Sequence, residues 1–518
     1  MIVLTGCTLA GIGPAALAID EGRIAWVGDP AKAVILGAPV IDLEARLGPT
    51  LVAPAFVDAH AHILLTGRGL AGVRCDDVTS AAELLARVAQ RREEEPGGII
   101  TGQGWDDFDW PEGRPPTMAE LDRAAGDTPV MLTRVEVHSA LVNSAFVDRV
   151  PGLRDAAGFQ SDGFIRRDAF HLAGEGASKL YTASQRSAHA GLAMDEALSC
   201  GIGTIHEMSA PHLGPWEDLT LIRNEAEHRR MRVPLYWGEQ ADDDLVAEAL
   251  RFGVRGLAGD LNCDGALGSR TACLSHGYHD DQDTTGFRYI DPEQLAEHVI
   301  ACTKAGLQAG FHCIGDVGVS SSVESMRRAA DALSPELVRR ARHRLEHVEM
   351  ASDADIATMA ELGVIGSMQP MFDAWWGGPG GLYDDRLGPD RPALDRIGSM
   401  QRAGVPLAFG SDAPVTPFSG WKVIRAAVNH WREEERVNVA EAVHAATAGA
   451  HFAGFEPESA AGLGTFRVGA PADLAIWTAN DMEGAWPVLE MNAMLPTCAA
   501  TLVAGHPAYD DRGIFAER

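Results

Sequence analysis

At 518 residues the chain is longer than one compact core ordinarily fills, so a large domain with at least one smaller companion is expected. A hydrophobic content of 46% with 22% charged residues excludes a disordered chain, and a formal charge of −30, from 43 Lys plus Arg against 73 Asp plus Glu, argues against nucleic acid as a partner. No apolar run reaches the roughly 18 residues of a membrane span, the N-terminus lacks the pattern of a secretion signal, and the eight scattered cysteines show neither zinc-ribbon nor redox spacing; the expectation is a cytoplasmic protein with no membrane partner.

In chain order, the opening residues read as hairpins. Apolar stretches at 15–19 and 24–27 flank the turn Asp20-Glu21-Gly22. Strand-like runs then fall at 51–57, 130–137, 203–206, 233–237, 307–312, 344–348, 364–368 and 406–410. Helical stretches intervene, among them 80–94, 218–230, 292–305 and 354–361. Strands alternating with helices of this length imply an α/β fold with a parallel sheet, and the count suits a (β/α)₈ TIM barrel, although periodicity alone also allows a doubly wound sheet. Two segments exceed a minimal barrel, near 66–180 and at 377–392, and are expected to roof the strand ends. The tail returns to strands at 472–477 and 499–504. Each chain end is too short for its own core, so residues 1–54 and 463–518 are expected to combine into one small β domain beside a barrel of 55–462.

The residues with chemistry sit at the ends of the strand-like runs. In Asp58-Ala59-His60-Ala61-His62, positions i and i+2 of a strand share a face, so His60 and His62 can grip one ion and Asp58 is expected to hold a ligand's second ring nitrogen. His312 and His347 end later apolar runs, and Asp412 follows another in Gly410-Ser411-Asp412-Ala413-Pro414. Alternation predicts that Glu346 faces away from His347, toward the helix layer or a salt bridge. Four histidines and a carboxylate suit zinc, and Asp412 is placed to take a proton from an activated water and return it to a leaving group. No serine-nucleophile elbow, phosphate loop or His-Glu-x-x-His string is present.

These strings, together with His138-Ser139-Ala140-Leu141-Val142-Asn143-Ser144, Asp264-Gly265-Ala266-Leu267-Gly268-Ser269-Arg270, Ser367-Met368-Gln369-Pro370 and Gly469-Ala470-Pro471-Ala472-Asp473, resemble the amidohydrolase superfamily over nearly the whole chain. The resemblance is to its amidohydrolase 3 group of YtcJ-like proteins, which includes N-substituted formamide deformylases. It implies a TIM barrel with a β-sandwich formed by both chain termini. His60, His62, His312, His347 and Asp412 would be metal ligands, with Asp412 also the catalytic base. The implied activity is hydrolysis of a non-peptide carbon–nitrogen bond in a small molecule, and a homodimer is the implied assembly. A deaminase or esterase on the same scaffold is the alternative, and a non-catalytic small-molecule-binding protein ranks below both. One departure stands out. Where the family commonly carries a metal-bridging carboxylated lysine, this chain has Asp260, whose single methylene is short for that span. The expectation is therefore one tightly bound Zn2+, with a second ion uncertain and Asp260 a further candidate ligand. His138, Arg270, Trp375 and Trp376 are the candidate substrate contacts, with a structural salt bridge the equal alternative for Arg270; Trp375, Trp376, Phe372 and Tyr383 suggest a bulky or aromatic ligand, with a packing or dimer surface the equal alternative for the paired tryptophans.

Overall fold

Eight short parallel strands form the centre of the molecule: Phe56–Ala61, Ile202–Ser209, Leu235–Trp237, Gly256–Leu257, Gln308–Cys313, Arg344–His347, Ile365–Met368 and Leu407–Phe409, hydrogen-bonded in that order. In the computed structural model, which describes residues 1–94, 97–455 and 461–516, every residue of these strands is buried. Buried on both faces, such strands need runs of apolar residues rather than alternation, which is how most of them read in the sequence. The barrel closes where the eighth strand meets the first. There Asp412 N donates to His60 O at 2.8 Å and His62 N to Ala413 O at 2.9 Å. The closing seam thus carries three of the residues singled out for chemistry.

Two of the expected strands went elsewhere. The run at 130–137 supplies Val130–Arg134, which lies in a separate five-stranded sheet with Val73–Arg74, Ile100–Trp105, Ser139–Val142 and Phe164–Arg166. The excursion near 66–180 is therefore a small layered unit with its own apolar cluster, including Leu84, Trp105, Leu121 and Leu132, rather than a loop. The barrel's fourth place is taken by Gly256–Leu257, two residues long and too short to leave a periodic signal. The run at 51–57 divides at Pro54, which has no N–H to give a further ladder. Thr50–Pro54 pairs in the terminal sheet and Phe56–Ala61 enters the barrel.

Both chain ends meet in one eight-stranded sheet. The strand Leu474–Thr478 runs antiparallel to Thr50–Pro54, with Ala475 opposite Ala53 and Ile476 opposite Val52. Leu4, Leu17, Val52, Leu474 and Leu502 pack as its core. An aromatic contact fastens this sheet to the barrel. The Phe56 ring lies 5.1 Å from Trp421 and 5.6 Å from Trp477, and Trp477 occupies the space a side chain at Gly201 would need. Arg232 adds an ion pair to Asp473 at 2.6 Å. Among the described residues no helix is long and apolar enough to cross a membrane.

Trp477 is the member of this contact contributed by the terminal sheet. Trp477→Ala is expected to cost about 3–5 kcal/mol, the range for emptying a large aromatic site. Urea unfolding followed by tryptophan fluorescence and circular dichroism checks it; an unchanged midpoint would show that the two parts hold together without this contact.

Candidate metal centre

The first barrel strand sends His60 and His62 to the same side, as its two-residue period requires, and their rings lie 5.2 Å apart. Each ring is fixed through Nδ1. His60 Nδ1 is 2.8 Å from Glu346 Oε2, and His62 Nδ1 donates to the Met208 carbonyl at 3.0 Å. His347 Nδ1 donates to Gln369 Oε1 at 2.8 Å. These contacts leave the three Nε2 atoms facing the barrel mouth. His312 is turned the other way, with Nε2 3.4 Å from the Gly265 carbonyl, so Nδ1 is its open nitrogen. Anchoring one ring nitrogen sets the tautomer and aims the other.

Glu346 corrects the sequence reading. It faces the barrel interior along with its neighbour, because the backbone leaves β geometry at His347, where φ is 68°, and strict alternation ends there. Its expected salt bridge is present, to Arg344 Nε at 2.6 Å. Glu346, and not Asp58, is the carboxylate that holds a histidine's second nitrogen. Asp58 accepts backbone N–H groups instead, from Ser411 at 3.0 Å and His60 at 3.3 Å, and so braces the barrel seam. Arg344, fully buried, also donates to Ala59 O at 2.6 Å and Ser367 Oγ at 2.9 Å and stands 3.1 Å from His206 Nδ1.

Asp260 reaches the same centre. Its carboxylate oxygens stand 3.4 Å from Nε2 of both His60 and His62. Three groups of side chains come close enough to hold an ion: His60, His347 and Asp412; His60, His62 and Asp260; and Asp260, His312 and His347. Asp260 belongs to two of them. The backbone brings in what the side chain is too short to span. After the two-residue fourth strand the chain turns at Gly259, φ 81°, where a Cβ would meet Met208, and residues 260–261 lie against Gly238, where a Cβ would sit 2.6 Å from the Asp260 carbonyl carbon. Asn262 then pairs with His312 across the strand ends.

The electrostatics fit a cation. Burial opposes protonation of all four histidines. It prevails at His312 and His347, held down at about 3. At His62 the carboxylates of Asp260 and Asp412 outweigh burial and push the ring up to about 9, and Asp412, Asp260 and Glu346 raise His60 in the same sense. Burial also works against charge on Asp260, yet the His62 and His60 rings hold its carboxyl well below the usual carboxylate range. Positive charge is thus favoured where His60 and His62 converge. His60 Nε2 and Asp260 Oδ1 are buried there with no hydrogen bond of ordinary geometry to any described residue. Nitrogen and carboxylate donors of this kind suit a zinc-type ion.

Two lobes of one cleft open over this cluster. The larger, about 410 Å³, is lined by His138, His312, His347 and Asp412 at its floor and by Phe372, Trp376, Leu382 and Tyr383 along its side. The second, about 340 Å³, runs past His138, His171, His212 and Asp260. His138 and Trp376 thus line the cleft. Trp375 does not: it is 46% exposed and turned to solvent, since successive positions of the helix Pro370–Trp376 cannot face the same way. Arg270 is likewise elsewhere, held in a two-pronged pair with Asp280 at 2.6 and 3.0 Å. Glu175 and Glu207 are outside the three ligand groups: Glu175 is paired with Lys179, and Glu207 accepts from the Ile63 N–H. Sequence reasoning missed Glu349, His171 and His212. Glu349 lies two residues past a predicted ligand and could have been found by extending that motif; His171 and His212 carry no local signal.

The comparisons agree with this geometry. The sequence signature described as the amidohydrolase family matches residues 40–509. The protein LONG AFTER FAR-RED 3 of Arabidopsis thaliana is 26% identical over 515 residues, covering 90% of this chain and 84% of that protein. The N-substituted formamide deformylase of Arthrobacter pascens is 25% identical over 452 residues, covering 80% of each. Among solved structures, an uncharacterized metal-dependent hydrolase from Pyrococcus furiosus superposes with a TM-score of 0.70 at 27% identity, covering 92% of this chain and 98% of that one. With its signature matched across the barrel and into both chain ends of the terminal sheet, and the candidate ligand sets gathered at the barrel mouth, the chain belongs to the amidohydrolase family.

Proposed function

We propose that the protein hydrolyses a non-peptide carbon–nitrogen bond, in an amide, N-substituted formamide or cyclic amide, with His60, His62, Asp260 and Asp412 holding one tight zinc-type ion and Asp260, His312 and His347 forming a weaker second position. The observation that carries this reading is the buried, unpartnered Nε2 of His60 among the carboxylates of Asp260 and Asp412. The formamide deformylase among the relatives favours the amide reading over the deaminase and esterase alternatives.

An ion bound there supplies Lewis acidity, polarising a carbonyl and easing deprotonation of water. The protein's own groups do the rest. Asp412, its Oδ1 3.0 Å from His62 Nε2 and its carboxylate open to the cleft, accepts a proton from the attacking water. As the carbon–nitrogen bond breaks, the same carboxyl returns that proton to the leaving nitrogen, so amide and water yield acid and amine. His138, half-buried and held neutral with its pKa pushed down to about 3 by desolvation, lines both lobes and orients the scissile group between them. Glu346 and Arg344 keep the His60 ring aimed throughout.

Zinc titration against a competing chelator should resolve a tight and a weaker site in the intact protein. The double substitution His60→Ala, His62→Ala should remove the tight one, and Asp260→Asn should weaken both. Binding of zinc unchanged by Asp260→Asn would remove that residue from the ligand set.

Asp412→Asn should fold normally and lose about 10²–10⁴ in turnover if proton transfer is its main task. Steady-state rates on an amide panel, with products identified as amine plus acid, ammonia or alcohol, test this residue and separate the three reactions. Near-normal turnover in the variant would end the assignment of Asp412 as the base.

Arg344→Met should cost about 3–5 kcal/mol, because it strands the Glu346 carboxylate in the barrel interior. Denaturant unfolding reads the loss, and a fall of less than about 1 kcal/mol would show that Glu346 finds another partner.

A further inference from the structure

The larger lobe carries a polar pair that the reaction does not use. Glu349 and Tyr383 line it and are 3% and 2% exposed. Glu349 Oε2 and the Tyr383 hydroxyl are buried with no hydrogen bond of ordinary geometry to any described residue, although the two groups stand close enough to act on each other. Two such atoms left bare in a cleft are costly unless a ligand satisfies them. The surroundings restrict that ligand. Phe372, Trp376 and Leu382 give the lobe an apolar and aromatic side. Phe372 is itself fixed, stacked at 10° on the His347 ring with 5.8 Å between centroids, and Trp376 packs against it at 4.9 Å. No lysine or arginine is among the described residues that line either lobe. Arg391, whose guanidinium lies 5.5 Å over the Tyr383 ring, is committed to Asp384, as Arg134 is to Glu136 and Arg270 to Asp280.

We propose that Glu349 and Tyr383 are a specificity-determining pair that reads a hydroxyl-type group on an apolar or aromatic substrate, and that the enzyme selects neutral amides of this kind over amides bearing a carboxylate. A hydroxyl satisfies both atoms at once, donating to Glu349 Oε2 and accepting from the Tyr383 O–H. With Asp260 and Asp412 engaged on the ion, a carboxylate in the larger lobe would find no lysine or arginine in the lining to pair with. The inference rests on the proposed amide hydrolysis and names the substrate class for that same site.

The test uses benzylformamides substituted on the ring, in meta and para series, with hydroxymethyl, ethyl or carboxylate groups; the first two match in size. Binding is measured by calorimetry on the zinc-loaded Asp412→Asn protein, and turnover on the zinc-loaded wild type. In at least one series hydroxymethyl should bind about tenfold more tightly than ethyl, and carboxylate more weakly than either. Glu349→Leu should bring the hydroxymethyl-to-ethyl ratio close to one, and Tyr383→Phe, which removes a single oxygen, should lower it if the larger change disturbs folding. Ethyl binding as well as hydroxymethyl in both series, carboxylate binding as tightly as hydroxymethyl, or a ratio untouched by both substitutions overturns the proposal. Selective binding without hydrolysis by the wild type would instead leave this pair standing and count against formamides as the substrates.

Discussion

One buried ion pair underlies both the barrel and its chemistry. Arg344, on the sixth strand, makes contacts with Ala59 on the first, His206 on the second and Ser367 on the seventh, while its main partner is Glu346 two residues along. A buried guanidinium contributes little unless nearly all its donors are met, and here four elements meet them. Satisfied in this way, the Arg344 charge holds the Glu346 carboxyl well below its usual range, against the burial that would otherwise raise it. Glu346 can then fix His60 through Nδ1. The orientation of a candidate ligand is therefore set from beneath by a charge that never reaches the cleft.

Backbone conformations that most residues avoid recur at the strand ends. Positive φ occurs at His347, Val348 and Asp412, none of them glycine. A plain strand would send alternate side chains to the helix layer, and these positions redirect them into the mouth. Such conformations persist only where the surroundings over-determine them. At Asp412 the hydrogen bonds across the barrel seam do so, and at His347 the anchored ring nitrogen does. Asp260 is delivered by a related device, two glycines that let a short-armed carboxylate approach on its own backbone rather than on a long side chain.

The additions to the barrel shape the space above this centre. The five-stranded unit brings Glu136 and His138 to the cleft, and the helix that follows it brings His171. The segment after the seventh strand contributes Phe372, Trp376 and Tyr383. The floor is thus built from strand ends and the walls from insertions, the division of labour that lets one barrel serve many substrates.

The sequence by itself determined whatever depends on short-range periodicity. Alternating strand and helix runs specified a parallel α/β core though not its closure into a barrel, period two put His60 and His62 on one face, and the hairpin patterns at both ends pointed to a shared β domain. His312, His347 and Asp412 were legible because each ends an apolar run. What only the tertiary structure decided involves partners far apart in the chain. His60 is 286 residues from Glu346, whose inward turn no local pattern signals. The same holds for Asp260, placed by close contact with Gly238, and for Arg270, drawn away from the cleft by Asp280. Glu349 and Tyr383 meet across a cleft only because the seventh strand's excursion folds back over the sixth strand's end. Local sequence fixes the face a side chain takes on its own element, whereas its environment depends on which distant elements are packed against that face.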